Sequence, residues 1–157
     1  MGNIFLYSGP VHSGKTTLLF QWIARQKNVK GILQPVIDDK RFIFHITTRT
    51  LKKLETSPEK SEEIVTIGNY NFSLETFLWA QSVLLYDFKS NCEWLIIDEV
   101  GPLELCGKGI EPSLSRLLSE RDKFSGNILC VVRDSMVDKF IEYYKLKEAC
   151  QFFNPNS

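Results

Sequence analysis

The run Gly9-Pro10-Val11-His12-Ser13-Gly14-Lys15-Thr16 constrains this chain more than any other feature, because it fits the spacing GxxxxGK followed by Ser or Thr in full. The preceding Asn3-Ile4-Phe5-Leu6-Tyr7-Ser8 reads as a buried strand, and Thr17-Leu18-Leu19-Phe20-Gln21-Trp22-Ile23-Ala24 as the start of an amphipathic helix. Strand, loop and helix in that order let successive backbone N–H groups converge on an anion. The unpaired donors and positive dipole end of the helix point the same way. Gly9 and Gly14 stand where a Cβ would obstruct that approach or forbid the backbone angle. The run therefore reads as a cradle for nucleotide phosphates, formed by Gly9, Pro10, Val11, His12, Ser13, Gly14, Lys15, Thr16 and Thr17. Within it Lys15 reaches the β and γ phosphates and the Thr16 hydroxyl ligates Mg²⁺. The motif leaves the His12 position free, so His12 is read as a tolerated variable residue of the loop.

A phosphate cradle alone does not separate a hydrolase from a kinase or a passive nucleotide binder, and Trp94-Leu95-Ile96-Ile97-Asp98-Glu99 carries the distinction. Four apolar residues followed by an aspartate fit a strand covered on both faces, with the carboxylate emerging at its C-terminal edge. That edge is where open α/β sheets bind ligands. Asp98 is the candidate to hold Mg²⁺ opposite Thr16, through a coordinated water. Glu99 is the candidate base that orients and polarises the attacking water, since phosphoryl transfer asks a protein mainly for positioning.

The 157 residues, 43% of them hydrophobic, suit one core, and the chain is read as a single domain over residues 1–157. Lysine plus arginine and aspartate plus glutamate number 19 each, so there is no basic field of the kind nucleic-acid binders use, and no nucleic-acid partner is indicated. The four cysteines, Cys92, Cys106, Cys130 and Cys150, and the two histidines, His12 and His45, lack metal-site spacing. The cysteines read as reduced thiols, mostly buried, of a cytoplasmic protein. With no leader pattern and no long apolar run, neither export nor a membrane span is expected.

Along the chain, strands and helices alternate around a more strand-like middle. Residues 31–37 and 41–47 flank Asp38-Asp39-Lys40 and read as a β-hairpin after the first helix. Residues 50–54 add a short strand, 55–63 a polar loop, and 64–67 another strand. Ser73 is the N-cap of a helix running to about Phe88. Residues 101–109 read as a loop, and 110–122 as a helix facing Leu114, Leu117 and Leu118 inward. Residues 127–132 form a third central strand, Asp134 caps a helix over 135–144, and 149–153 are a final edge strand. Phe140, Tyr143 and Tyr144 read as core packing rather than a base-stacking platform.

The phosphate loop, Ile67-Gly68-Asn69-Tyr70-Asn71-Phe72, Ile97-Asp98-Glu99-Val100-Gly101-Pro102-Leu103-Glu104-Leu105 and Val131-Val132-Arg133-Asp134 resemble, in order, the markers of the thermophile-type nucleoside-triphosphatases, relatives of the cancer-related nucleoside-triphosphatases. That family typically reads IDEIG, a variable residue and then MEL, and Leu103 stands here in place of the methionine. The resemblance implies an α/β fold: a P-loop NTPase three-layer sandwich with a mostly parallel, RecA-like central sheet. It implies Mg²⁺-dependent hydrolysis of ATP, GTP and other nucleoside triphosphates to diphosphate and phosphate, by a soluble, often monomeric protein. It also suggests that Arg133, ending the strand beside that of Asp98, reaches the γ-phosphate. Glu104 matches the MEL glutamate, with a helix-start and a catalytic role both open. The family's hairpin of Thr, Glu and Arg residues is largely replaced by Leu33-Gln34-Pro35-Val36-Ile37, only Gly31 and Arg41 remaining, so substrate contacts from that hairpin stay open.

Two rival functions share the phosphate loop. A small nucleotide or nucleoside kinase would transfer the γ-phosphoryl to an acceptor under an arginine-bearing lid, and no short basic lid stands out. A nucleotide-gated binding module would use residues 55–63 or 101–109 as switches, yet there is no guanine-recognition NKxD and no second domain to move. The base preferred has no signature in the sequence, and broad specificity is the default.

Overall fold

The computed structural model describes residues 3–9, 14–57 and 63–156. Along the chain, β1 (Asn3–Gly9) leads to α1 (Lys15–Ile23). Then follow β2 (Val29–Leu33), β3 (Val36–Ile37), β4 (Lys40–His45), β5 (Thr50–Lys53), β6 (Ile64–Ile67), β7 (Tyr70–Ser73) and α2 (Leu74–Lys89). The chain continues through β8 (Trp94–Val100), α3 (Pro102–Leu105), α4 (Ser113–Ser119), β9 (Asn127–Arg133), α5 (Val137–Tyr143) and β10 (Cys150–Phe152). The sheet runs β10-β1-β9-β8-β2-β4-β3 with β5 on β4. Neighbours from β10 to β2 are parallel, and the β2–β4, β3–β4 and β4–β5 pairs are antiparallel. This is the mostly parallel central sheet expected, eight strands wide.

Alternation along the strands builds two cores. Ile4, Leu6, Leu95, Ile97, Ile128, Cys130 and Val132 point to the face covered by α2, α4 and α5. Tyr7, Ile96, Leu129 and Val131 point to the other face, against Leu19 and Trp22 of α1. Strands buried on both sides explain the unbroken apolar runs before Asp98 and Arg133. On the α1 side Trp22, Trp94 and Phe153 meet edge to face, with ring centroids 4.9, 5.0 and 5.6 Å apart. On the other side Asp87 of α2 accepts the Gly31 N–H at 3.1 Å and lies 2.8 Å from the His45 ring, tying α2 to β2 and β4.

The hairpin turn is tight: Val36 pairs with Arg41 and Ile37 with Lys40, while Asp38 and Asp39 have φ of 51° and 62°. Two left-handed residues are what a two-residue hairpin turn needs. Gly31 has φ +112°, and a Cβ there would run into the Ile96 backbone, so only glycine lets β2 lie this close to β8. Ser73 caps α2, its hydroxyl accepting the Thr76 N–H at 3.2 Å, and β6 and β7 form a separate two-stranded ribbon.

Three boundaries differ from expectation. The helix read over 110–122 is shorter, Ser113–Ser119 plus a 3-10 turn at Arg121–Lys123, although Leu114, Leu117 and Leu118 are buried as expected. Asp134 makes no side-chain cap and instead opens the 3-10 turn Asp134–Met136 ahead of α5. The stretch 101–109 is not all loop: it contains α3, because buried Glu104 accepts the N–H of Gly101 at 2.8 Å and that of Ile110 at 3.1 Å. That side chain satisfies donors at both ends of the segment. Phe140 and Tyr144 are buried, whereas Tyr143 is half exposed. Among the described residues no helix is long and apolar enough to cross a membrane.

Two stability measurements test this account. Trp22→Ala should cost about 3–5 kcal/mol in urea unfolding, the range for removing a large buried aromatic; a loss under about 1 kcal/mol would show that the aromatic cluster does not hold α1. Burial pushes the Glu104 carboxyl from 4.5 up to about 7, against the lowering by the Gly101 and Ile110 N–H groups. A pKa raised on folding gives stability that is full below the unfolded value and is lost as pH rises through the folded one. Between pH 4.5 and 7 this group should therefore remove stability on the order of 3 kcal/mol. Glu104→Gln cannot titrate, so its melting temperature should fall less over that window, and parallel curves for the two proteins would assign the slope to other groups.

Candidate functional site

Four strands end at one edge of the sheet, and their last residues assemble the site. β1 ends at Gly9 and α1 begins at Lys15 after Gly14, whose φ of +81° is left-handed backbone. Pro10, Val11, His12 and Ser13 lie outside the described residues. Lys15 is only 7% exposed, and its Nζ donates to the Gly9 carbonyl at 3.1 Å, across the base of the loop. Thr17 stands exposed one residue beyond Thr16 on α1.

Thr16 and Asp98, far apart in sequence, meet here: the Thr16 hydroxyl donates to Asp98 Oδ2 at 3.0 Å. The Gln34 N–H donates to the same oxygen at 3.0 Å, and the Gln34 side-chain amide donates to the Asp98 carbonyl at 3.3 Å. Asp98 is fully buried, and among the described residues its Oδ1 has no hydrogen-bond partner. Burial pushes its carboxyl up to about 6, with the Glu99 charge adding to the rise and Gln34, Thr16 and Arg41 opposing it. A buried carboxylate oxygen with no donor is costly unless something else meets it. The donor set would suit an Mg²⁺ ion, with one carboxylate oxygen and one hydroxyl from the protein. Among the described residues no group of three acidic, histidine or cysteine side chains gathers as a metal cage.

Glu99 follows in an unusual conformation, φ 59° for a residue with a Cβ. The pairing of β8 with β9 shifts register between Ile97 and Val100, so Glu99 sits on a bulge. Bulges beside active sites re-aim a side chain. Here Glu99 leaves the strand's alternation and its Oε2 comes 3.6 Å from Arg41 Nη1 of β4. Arg133 ends β9 directly opposite Gly9, between the strand that leads into the loop and the strand that carries Asp98. Glu99, Arg133, Arg41 and Gln34 together form the polar end of a cavity of about 350 Å³, whose other walls include Leu54, Tyr70, Phe72, Phe77 and Leu103.

The residues singled out in the sequence therefore converge within the described part of the chain: Lys15, Thr16, Asp98, Glu99 and Arg133 all stand at this edge. Glu104 borders the same cavity, but both its oxygens are occupied by backbone N–H groups, which makes it a helix-start residue in this state. Sequence reasoning assigned nothing to Gln34 and gave Arg41 no role. Gln34 reaches Asp98 through its backbone N–H, which residues of many types supply, so no sequence signal existed for that contact. Arg41 carried one, as the arginine remaining from the family's hairpin.

A model of the NTPase family matches residues 3–154. Among solved structures, the chain is similar to THEP1 from the hyperthermophile Aquifex aeolicus, with a TM-score of 0.71 and 17% identity over 96% of this chain and 88% of that one. It is also similar to a human cancer-related nucleoside triphosphatase, with a TM-score of 0.68 and 18% identity over 98% of this chain and 88% of that one. No curated protein sequence matches it. At such identities the structural likeness speaks for the fold, while the family match spans nearly every residue. The chain belongs to the NTPase family.

Proposed function

We propose that this protein hydrolyses nucleoside triphosphates, ATP and GTP among them, to the diphosphate and phosphate, with Mg²⁺ and with little preference for the base. The observation that carries the reading is the buried Asp98 carboxylate, held on one oxygen by Thr16 and Gln34 and, among the described residues, unpartnered on the other, directly before the bulged Glu99. The two solved relatives support it, one of them being titled a nucleoside triphosphatase.

In this reading the loop N–H groups and the start of α1 hold the phosphates, and Lys15 exchanges its bond to the Gly9 carbonyl for the β and γ phosphates. Mg²⁺ held by Thr16 and Asp98 would neutralise phosphate charge. Glu99 takes a proton from a water in line with the γ-phosphorus as the water oxygen forms its P–O bond and the bond to the bridging oxygen breaks. Arg133, opposite Gly9, stabilises charge gathering on the γ-phosphoryl oxygens. Broad base use follows from a cradle that recognises phosphates. The reading extends to one domain over residues 1–157, acting as a monomer in the cytoplasm; the four cysteines are free thiols, the form a reducing compartment maintains.

Glu99→Gln keeps size but loses the base. Its turnover should fall by about 10²–10⁴ with nucleotide affinity within a few-fold, read by phosphate release and equilibrium binding. Parental turnover would remove Glu99 from the mechanism. Asp98→Asn should raise the Mg²⁺ concentration for half-maximal activity at saturating ATP while leaving metal-free nucleotide binding little changed. An unaltered Mg²⁺ curve would take Asp98 out of the metal site.

A further inference from the structure

The cavity beyond Glu99 is far larger than hydrolysis needs. A water molecule takes roughly 30 Å³, whereas this space is about 350 Å³, within the range of about 300–1,000 Å³ that small-molecule sites occupy. We propose that it is a second substrate site, which takes a small, uncharged aromatic alcohol and presents its hydroxyl to Glu99 as acceptor of the γ-phosphoryl group. The inference rests on the nucleotide site read above.

Its position argues for two substrates meeting at one point. The phosphates lie at the N-terminus of α1, which packs on one face of the sheet with Leu19, Trp22 and Ile96. The cavity walls Leu54, Phe72, Phe77 and Leu103 belong to the core of the opposite face. Its described lining includes neither Lys15 nor Thr16, but does include Glu99 and Arg133, at the sheet edge where the two faces join. A nucleotide on the loop and a molecule in the cavity would thus face each other across that pair.

The lining sets the chemistry of the occupant. Tyr70 is 54% exposed and lies parallel to Phe72, with ring centroids 6.1 Å apart and planes 1° from parallel, while Phe77 meets Phe72 edge-on at 5.9 Å. An aromatic wall whose outer ring, Tyr70, is half exposed suits a planar ring. At the polar end Arg41 and Glu99 form an ion pair at 3.6 Å, and both oxygens of Glu104 are taken by the Gly101 and Ile110 N–H groups. In the nucleotide reading above, Arg133 serves the γ-phosphoryl. Among the described lining residues that leaves no charge for an ionic ligand, so the body of the acceptor is uncharged.

In the transfer step, the acceptor's hydroxyl oxygen forms a bond to the γ-phosphorus as the bond to the bridging oxygen breaks. The hydroxyl proton goes to Glu99, and the electron pair leaves with the nucleoside diphosphate. The products are a phosphate monoester and the diphosphate, and water takes the acceptor's place when the cavity is empty.

The test incubates the protein with Mg²⁺ and ATP labelled at the γ-phosphorus, alone and with uridine, thymidine, guanosine or pyridoxine in turn, and separates labelled products by chromatography. A labelled monoester with at least one of the four, accompanied by less free phosphate, is expected. Tyr70→Ala, at an exposed position, should then raise the KM for that alcohol about tenfold, the worth of one aromatic stack, and move the ester-to-phosphate ratio toward phosphate. Phosphate release that none of the four alcohols slows or diverts to ester would overturn the acceptor site while hydrolysis stands. Ester formation with an unchanged KM in Tyr70→Ala would overturn the placement in this cavity. Absence of both phosphate release and ester would overturn the nucleotide-site reading and this inference together.

Discussion

The bond from the Thr16 hydroxyl to Asp98 is the contact on which the site is built. It joins the first turn of α1 to the end of β8, and the Gln34 N–H holds the same carboxylate oxygen. Burying a carboxylate this completely is unfavourable, which is why its carboxyl is pushed up to about 6. Leaving one oxygen without a donor makes the cost larger. Two well-packed cores on either face of the sheet offset that cost.

Glu99 extends the same logic. A residue with a Cβ in left-handed backbone at a bulge is unfavourable by itself, of order 1–3 kcal/mol, yet the register shift lets consecutive residues serve different ends. Asp98 turns inward to Thr16 and Gln34, while Glu99 turns out to Arg41 and the cavity. Regular alternation would place neighbouring side chains on opposite faces of β8. The break at the sheet edge brings both to bear on one place, with Arg133 delivered beside them by β9.

Supporting elements hold this edge in shape. The hairpin after α1 departs from the family pattern in side chains, but Gln34 still gives its backbone N–H to Asp98 and Arg41 still reaches Glu99. Glu104, one turn beyond the bulge, gathers the Gly101 and Ile110 N–H groups and so shapes the segment that walls the cavity. The helix-start role is one of the two readings the sequence leaves open for Glu104; the second bond is not legible there, because the Ile110 N–H lies nine residues of chain beyond the Gly101 N–H and the meeting depends on how that chain turns.

The sequence by itself determined the class of fold and the identity of the main groups. Strand, phosphate loop and helix are written in local spacing, and the apolar runs ending at Asp98 and at Arg133 reveal strands covered on both sides. Local chemistry of that kind is readable because each signal lies within one element and its cap. The tertiary structure alone decided the left-handed Glu99, the unpartnered Asp98 oxygen, the contacts of Gln34 and Arg41, and the cavity on the face opposite α1. Each depends on strand order and register between segments distant in sequence, so each arises where elements meet and in none of them singly.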